Sequence, residues 1–340
     1  MNRMAISLRT ALAMSLLIFL GLLFVSPSMI ALGASASVST INCTTSVCAY
    51  AFNSNAAFVI NGTKIVNTVT THIISTLEEG WDFVTGLICE PSGGSSSGPV
   101  IMINAATNKV VKHVSSNKFD VPTGCVYDPS ANVFLVANYE SASVSIINAT
   151  TLKASSKTIS VGDLPYFLAY NPSSNQVFVA NVESGSVSVL NALTLKAVKT
   201  VTVGDYPRGI AFDPANNDTY VVNTGSVSIS VISSTDKVIK TISGHGFEDP
   251  YGVNYGNGNI YVTDSGANAL FIISSQNKVR EVTGFSEGPE IGAYDPALGW
   301  EYVIMNNSSQ IWILNGTKIS PVKITIQGQA WGLMTTANLP

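Results

Sequence analysis

Charge is scarce in this chain of 340 residues. Asp, Glu, Lys and Arg together make up 11% of it, and the formal net charge is −4. Nucleic-acid binding needs a basic footprint, so this balance argues against it. The surface must be polar without being charged. Histidine is scarcer still: His72, His113 and His245 stand far apart, without metal-ligand spacing. No Cys-x-x-Cys or Cys/His spacing points to zinc. No Gly-x-Ser-x-Gly elbow, P-loop or dinucleotide fingerprint occurs in a fitting context. Beyond Val25 no apolar run is long enough to cross a membrane as a helix of roughly 20 residues.

The N-terminus has the build of a targeting segment. Arg3 and Arg9 precede an apolar run from Ala11 to Val25, and Ala34-Ser35-Ala36 offers a cleavage site. Residues 1–36 therefore read as a signal peptide, with an uncleaved anchor as the alternative, and 37–340 as one domain. The cysteines are Cys43, Cys48, Cys89 and Cys125. An even count in an exported chain suggests two disulfides. Three pairings are open, and Cys43 with Cys48 and Cys89 with Cys125 is the most local. Cys125, inside an apolar strand, also reads as a plain buried thiol.

What the chain does have is a repeat of about 42 residues. The clearest copies start at Gly162 (GDLPYFLAYNPSSNQVFVANVESGSVSVLNALTLKAVKTVTV) and Gly204, with a third near Asp120. An aromatic that ends the first strand of each copy recurs at Tyr127, Tyr170, Phe212, Tyr255 and Tyr294. Each copy reads as four short strands. In the copy from Gly162 these are 166–170, 176–181, 186–190 and 196–203, with alternation in SVSVL and KTVTV. Hydroxyl-rich, β-branched composition suits strands. Four strands per unit predict an all-β fold, a β-propeller of antiparallel blades. Full copies begin near Asn117, Val161, Val203, Gly244 and Gly284, and a poorer one spans 71–116. The seventh is assembled from both ends. VCAYAFNSNAAFVINGTKIVNTV lacks a first strand, and QAWGLMTTANLP supplies one. Joining the C-terminal strand to the N-terminal blade closes a seven-bladed ring, with six or eight blades as the alternatives because the second unit is irregular, and covers edges that would invite aggregation.

The motifs FVAN (178–181), LVAN (135–138), YVVN (220–223) and YVTD (261–264) follow YDP, YNP or FDP turns and precede SVSVLN or SVSIIN. In this they resemble the YVTN-repeat β-propeller family of exported and surface-layer proteins of archaea and bacteria. The resemblance implies seven blades and an exported location. It implies no reaction, because one fold hosts many functions. Lyases and lactonases on such folds use convergent carboxylates, histidines or arginines at the channel, often with a divalent metal. Trp81, Trp300, Trp312 and Trp331 do not recur once per blade, which disfavours the quinone-cofactor propellers.

The candidate site comes from aligning the loops that enter each first strand. After the recurring Pro stand Thr123, Tyr166, Arg208, Tyr251 and Glu290, with Trp331 in the closing blade. These positions are expected to gather at one mouth of the channel. Arg208 and Glu290 supply opposite charges, and Tyr166, Tyr251 and Trp331 flat surfaces. That set suits a polar small molecule, a sugar or a peptide end. Read structurally, the same side chains only line and plug a channel. His245 lies in a loop entering a first strand, as an ordinary loop residue or a further site residue. The loops are acidic (Asp120, Asp163, Asp205, Glu248, Asp249, Glu287 and Glu290), a ring of carboxylates suited to attract Ca²⁺ and equally explained by Gly-Asp turn chemistry. No cofactor and no metal site is expected.

Seven Asn-x-Ser/Thr sequons occur, at Asn42, Asn61, Asn148, Asn217, Asn306, Asn307 and Asn315. Asn61, Asn148, Asn217 and Asn315 map to turns on the face opposite the mouth, so glycans there would shield one face. Three readings of function stand. The first is an exported cell-surface or extracellular binding and scaffold module, with envelope proteins or glycans as partners. The second is a channel-mouth enzyme of lyase or lactonase type. The third is a surface-layer structural subunit.

Overall fold

The computed structural model describes residues 47–71, 80–82, 84–93 and 97–336. The chain divides after Ser39. The expected signal segment, Asn42, Cys43 and His72 lie outside the described residues.

Seven antiparallel sheets of four strands, each in sequential order around the ring, make a seven-bladed β-propeller. Counting from the blade that holds Ala49–Phe52, the innermost strands are Gly332–Thr335, Gly80–Asp82, Pro122–Asp128, Pro165–Asn171, Pro207–Asp213, Pro250–Gly256 and Pro289–Asp295. Closure follows the sequence expectation. Gly332–Thr335 pairs with Ala49–Phe52 in antiparallel register, Leu333 opposite Ala51. In blade 7 the outer strand is split into Lys318–Ile319 and Ile324–Thr325, both paired with Gln310–Asn315. Pro321 stands between the pieces, where it has no N–H to give the ladder. Buried Cys89, in the second strand of blade 2, is disulfide-bonded to Cys125 in the inner strand of blade 3. This bridge staples the irregular blade to its regular neighbour and stabilises by roughly 3 kcal/mol. Cys48 is disulfide-bonded as well.

A blade lies between two others, so its inner strands have no solvent face. In blade 4, Gln176–Asn181 and Ser186–Asn191 are buried along almost their whole length. Only the outer strand Lys196–Thr202 is exposed, Val201 being its one buried residue. The alternation SVSV therefore does not separate core from water. Ser186 and Ser188 are buried, and both accept a hydrogen bond from Nδ2 of Asn181, at 3.1 and 3.0 Å. Asn138 bonds Ser143 and Ser145 in the same way, and Asn223 bonds Ser228 and Ser230. The Asn that ends the second strand and the Ser-x-Ser of the third thus form a lock in each of blades 3, 4 and 5. In blade 6 the place is taken by Asp264, which accepts instead from the N–H groups of Glu248, Asp249 and Ala267.

The lock carries a stability prediction. Asn181→Ala removes both bonds, leaving the buried Ser186 hydroxyl unmatched and Ser188 with only the N–H of Gly162, and is expected to cost about 1–3 kcal/mol. Asn191→Ala, which loses only an exposed turn bond to the N–H of Thr194, is expected to cost under about 1 kcal/mol. Urea or thermal unfolding of the two variants checks the order; equal losses would remove the lock as a structural device.

Candidate functional site

Four of the five residues that follow the recurring Pro come together at one mouth of the channel. The cause is a repeated β-bulge. Pairing of the first with the second strand slips between Pro165 and Leu168, Pro207 and Ile210, and Pro250 and Val253, and again after Pro289. A bulge turns the side chains within it away from the regular pleat. Ahead of it the backbone is strained. Val121, Leu164 and Tyr206, each preceding a Pro, have φ of 50°, 52° and 51°. That region is costly for side chains with a Cβ, by roughly 1–2 kcal/mol. Each is pinned by its own carbonyl, which accepts from the N–H of Tyr139, Val182 or Thr224 at 3.0–3.1 Å. Two glycines then let neighbouring blades close in. A Cβ on Gly209 would lie 2.6 Å from the carbonyl oxygen of Tyr251, and one on Gly252 2.6 Å from that of Glu290. Such approach brings Arg208, Tyr251 and Glu290 into one cluster.

The hydroxyls of Tyr166 and Tyr251 share a hydrogen bond of 2.6 Å across the mouth, their rings edge to face at 6.5 Å. The Arg208 guanidinium carbon stands 5.8 Å from the Tyr166 ring centre and 5.2 Å from that of Tyr251, in cation–π range. Phe167 backs both tyrosines, stacked on Tyr166 at 4.8 Å. Burial first, and then the facing Tyr251, hold the Tyr166 phenol well above the ordinary phenol range. Burial also raises Tyr251, against the lowering effect of its bond to Tyr166 and of Arg208. Glu290 is pushed up by burial, opposed by Arg208 and reinforced by Asp249. Two atoms of this cluster are buried without a hydrogen-bond partner: Nε of Arg208 and Oε2 of Glu290. The cluster therefore holds an unused donor and an unused acceptor, of opposite formal charge, beside two phenols.

The remaining sequence candidates sit elsewhere. Thr123 is buried and turns its hydroxyl to the carbonyls of Pro165 and Tyr166, a strut between blades 3 and 4. Trp331 lines a separate groove with Asn53, Phe58, Thr68 and Gln329. His245 is exposed, with φ 58° and its ring 6.4 Å from Phe247. His113 is exposed on an outer strand. The acidic loops do not converge: among the described residues no three His, Cys, Asp or Glu side chains are grouped to hold a metal. Asn61, Asn148, Asn217 and Asn315 lie in first-to-second or third-to-fourth turns, on the face away from the tyrosines, and all are exposed. Asn306 and Asn307, also exposed, lie in a second-to-third turn on the tyrosine side.

The sequence reading missed the other end of the channel. Beneath the tyrosine pair a cavity of about 420 Å³ runs to the turns at Pro129, Pro172 and Pro214. The face expected to be shielded thus has an opening of its own. Beside this cavity lies Glu301, 1% exposed and bonded through Oε2 to Nδ2 of Asn254 at 3.2 Å. Burial pushes its carboxyl up to about 8, against the lowering effect of the Asn254 bond. The signal was present in the repeat. Glu301 pairs with the recurring aromatic Tyr294, where other blades set Phe134, Val177, Thr219 and Ile260 opposite theirs.

No protein-family model and no curated protein matches the chain. Solved structures do. A protein from Lactobacillus plantarum superposes with a TM-score of 0.69 at 14% identity, over 85% of this chain and 98% of that one. Virginiamycin B lyase from Staphylococcus aureus, in a catalytically inactive form with quinupristin, gives 0.64 at 12% identity, over 74% and 85%. Hydrazine synthase of Kuenenia stuttgartiensis gives 0.63 at 19% identity, over 72% and 77%. At such identities the likeness establishes the propeller fold and leaves the chemistry to this chain's own residues.

Glu301 yields a pH prediction. Below its ordinary value of 4.5 both folded and unfolded chains hold the proton. Between 4.5 and about 8 the unfolded chain releases it and the folded chain keeps it, so stability falls as pH rises through that window. Glu301→Gln removes the effect. The melting temperatures of variant and parent should agree near pH 4 and diverge by roughly 5 °C or more near pH 9, the variant being higher. Parallel pH profiles would sink this account.

Proposed function

We propose that the chain is an exported or cell-surface binding propeller, akin to the YVTN-repeat proteins, that takes a polar ligand at the Tyr166–Tyr251 mouth. The ligand is a small polar molecule, a sugar, or the end of a peptide or glycan offered by an envelope partner. One observation carries this reading: Arg208 stands over both phenol rings with Nε unmatched, and Glu290, on which Arg208 acts electrostatically, leaves Oε2 unmatched. A buried polar group without a partner is costly, and a ligand bearing both an acceptor and a donor relieves both costs. The tyrosine rings supply the flat walls that sugar and peptide ends stack on.

A second reading rests on the raised pKa of Glu290. A carboxyl raised above its ordinary value by burial, against the lowering effect of Arg208, has moved in the direction that suits a general acid. This supports the lyase or hydrolase alternative. Virginiamycin B lyase shares the fold at 12% identity, which leaves that alternative to experiment.

A thermal-melt panel on the protein tests the reading, with divalent cations, chelator, envelope sugars, amino acids and short peptides. A ligand at 100 times its Kd should add about 2.7 kcal/mol of apparent stability. That shift should vanish in Arg208→Ala/Glu290→Gln while the variant still melts cooperatively. A shift that survives in the variant, or none with any compound, would count against the mouth. Turnover of the stabilising ligand would favour the enzyme. Export makes its own prediction. Glycopeptide mass spectra of the natively produced protein should find glycans on Asn61, Asn148, Asn217 or Asn315, all exposed on one face. Four unoccupied sites would remove the shielded-face idea.

A further inference from the structure

The loop that enters the closing blade differs in kind from its counterparts. In the alignment that matches Trp331 to Tyr166, Gly328 stands where the other loops hold Asp120, Asp163, Asp205, Glu248 and Glu287. Gln329 stands where they hold Val121, Leu164, Tyr206, Asp249 and Gly288, and Ala330 replaces the Pro. The run of acidic loops is interrupted at this blade, and two carboxamides, Gln327 and Gln329, flank the gap. The backbone accounts for the lost acid. Gly328 has φ 87°, which side chains with a Cβ rarely adopt, and a Cβ there would lie 3.3 Å from Nδ2 of Asn53.

This loop is pinned to the second-to-third turn of its own blade. Nδ2 of Asn53 donates to the carbonyl of Gln327 at 2.6 Å, and the N–H of Trp331 donates to the carbonyl of Phe52 at 2.8 Å. Oδ1 of Asn53 accepts from the N–H groups of Asn55 and Ala56, each at 3.0 Å. One buried asparagine thus fixes both walls of the groove that Trp331 lines. A groove held in this way loses little freedom on being filled.

The groove encloses about 460 Å³, within the range of small-molecule pockets, roughly 300–1,000 Å³. Among the described residues no Asp, Glu, Lys or Arg lines it. Trp331 presents a half-buried indole. Asn55, Thr68 and Gln327 are exposed and Gln329 is half-buried, and no side-chain hydrogen bond among the described residues holds any of the four. Carboxamides and hydroxyls both donate and accept. Sugar hydroxyls do the same, and the C–H face of a pyranose ring is flat and apolar, as an indole requires. A carboxylate or phosphate would find no cation in the groove, with acidic loops on the same face of the disc. A wholly apolar ligand would strip water from the amides and return no hydrogen bond.

We propose that this groove is a binding site of its own, independent of the Tyr166–Tyr251 mouth, and that it takes a neutral saccharide. A pyranose ring stacks on Trp331, and its hydroxyls bond among Asn55, Thr68, Gln327 and Gln329.

The test titrates the full chain with maltopentaose, cellopentaose, mannopentaose and chitopentaose, and with the pentamer of galacturonic acid as the charged counterpart. Calorimetry and tryptophan emission report binding. At least one neutral pentamer is expected to bind saturably, one per chain, and at least tenfold more tightly than the galacturonate pentamer. Trp331→Ala should weaken that binding by roughly three- to tenfold, the worth of an aromatic stack. Trp331→Phe, which keeps a flat ring, should weaken it less, and melting curves should confirm that both variants fold. Asn55→Ala/Gln327→Ala should also bind more weakly. The Arg208→Ala/Glu290→Gln chain should bind as the parent does. The proposal is overturned by no saturable binding of any neutral pentamer, by unchanged affinity in Trp331→Ala, or by a galacturonate pentamer that binds as tightly. Loss of binding in Arg208→Ala/Glu290→Gln would overturn it too, by moving the saccharide to the tyrosine mouth.

Discussion

A blade wedged between two others offers no face to water, and most of this structure follows from that constraint. Polar groups on its inner strands have to be met inside the protein. The Asn-to-Ser-x-Ser lock is how the regular blades meet them. It lets the third strand carry serines that seal no hydrophobic core, because one carboxamide spans two hydroxyls on the neighbouring strand. The motif is a structural device, and its recurrence reports on packing. It says nothing of a ligand.

The same constraint explains where function is found. Regular blades pack so tightly that only departures from regularity can present chemistry. At the tyrosine mouth the departure is the bulge after each Pro. It is held by strained residues at Val121, Leu164 and Tyr206 and by carbonyl bonds that pin them. Within the bulge the side chain is free to vary, and it does: Thr123 is a strut, while Tyr166, Arg208 and Tyr251 turn to one another and Glu290 lies within their electrostatic reach. Strain of this kind persists only where the surroundings over-determine it.

Much of this is legible in the amino-acid sequence. The recurring aromatics and the Asn-Pro and Asp-Pro turns marked strand ends. The divided seventh unit predicted closure by the C-terminal strand. Convergence at the mouth was readable because a repeat turns sequence alignment into spatial alignment: equal places in successive copies lie at equal places around the axis. The closing blade escaped this logic. Trp331 shares the alignment, yet it enters through the irregular segment 326–331 and lines another groove. SVSV was legible as strand but not in meaning, since period-two alternation looks the same whether serine meets water or asparagine. The cavity was illegible, because apolar side chains around a void and apolar side chains around a filled core have the same sequence.

In a repeat protein the informative residue is the one that breaks the pattern without any packing gain. Asp264 breaks it and is compensated by three backbone N–H groups, so its departure is structural. Asn254 and Glu301 break it together and meet in one hydrogen bond across neighbouring blades. Arg208 and Glu290 break it at the other end, with Nε and Oε2 unmatched. The regular locks are not fully compensated either, Oδ1 of Asn181 and of Asn223 being buried without a partner, so an unmatched acceptor alone does not mark a site. Both pairs lie along one channel, on the inner halves of blades 5, 6 and 7, which are the blades drawn together by Gly209 and Gly252. In that sector a glycine within the bulge lets neighbouring backbones meet where a Cβ would clash. Close approach both narrows the channel there and aims neighbouring side chains at a shared space.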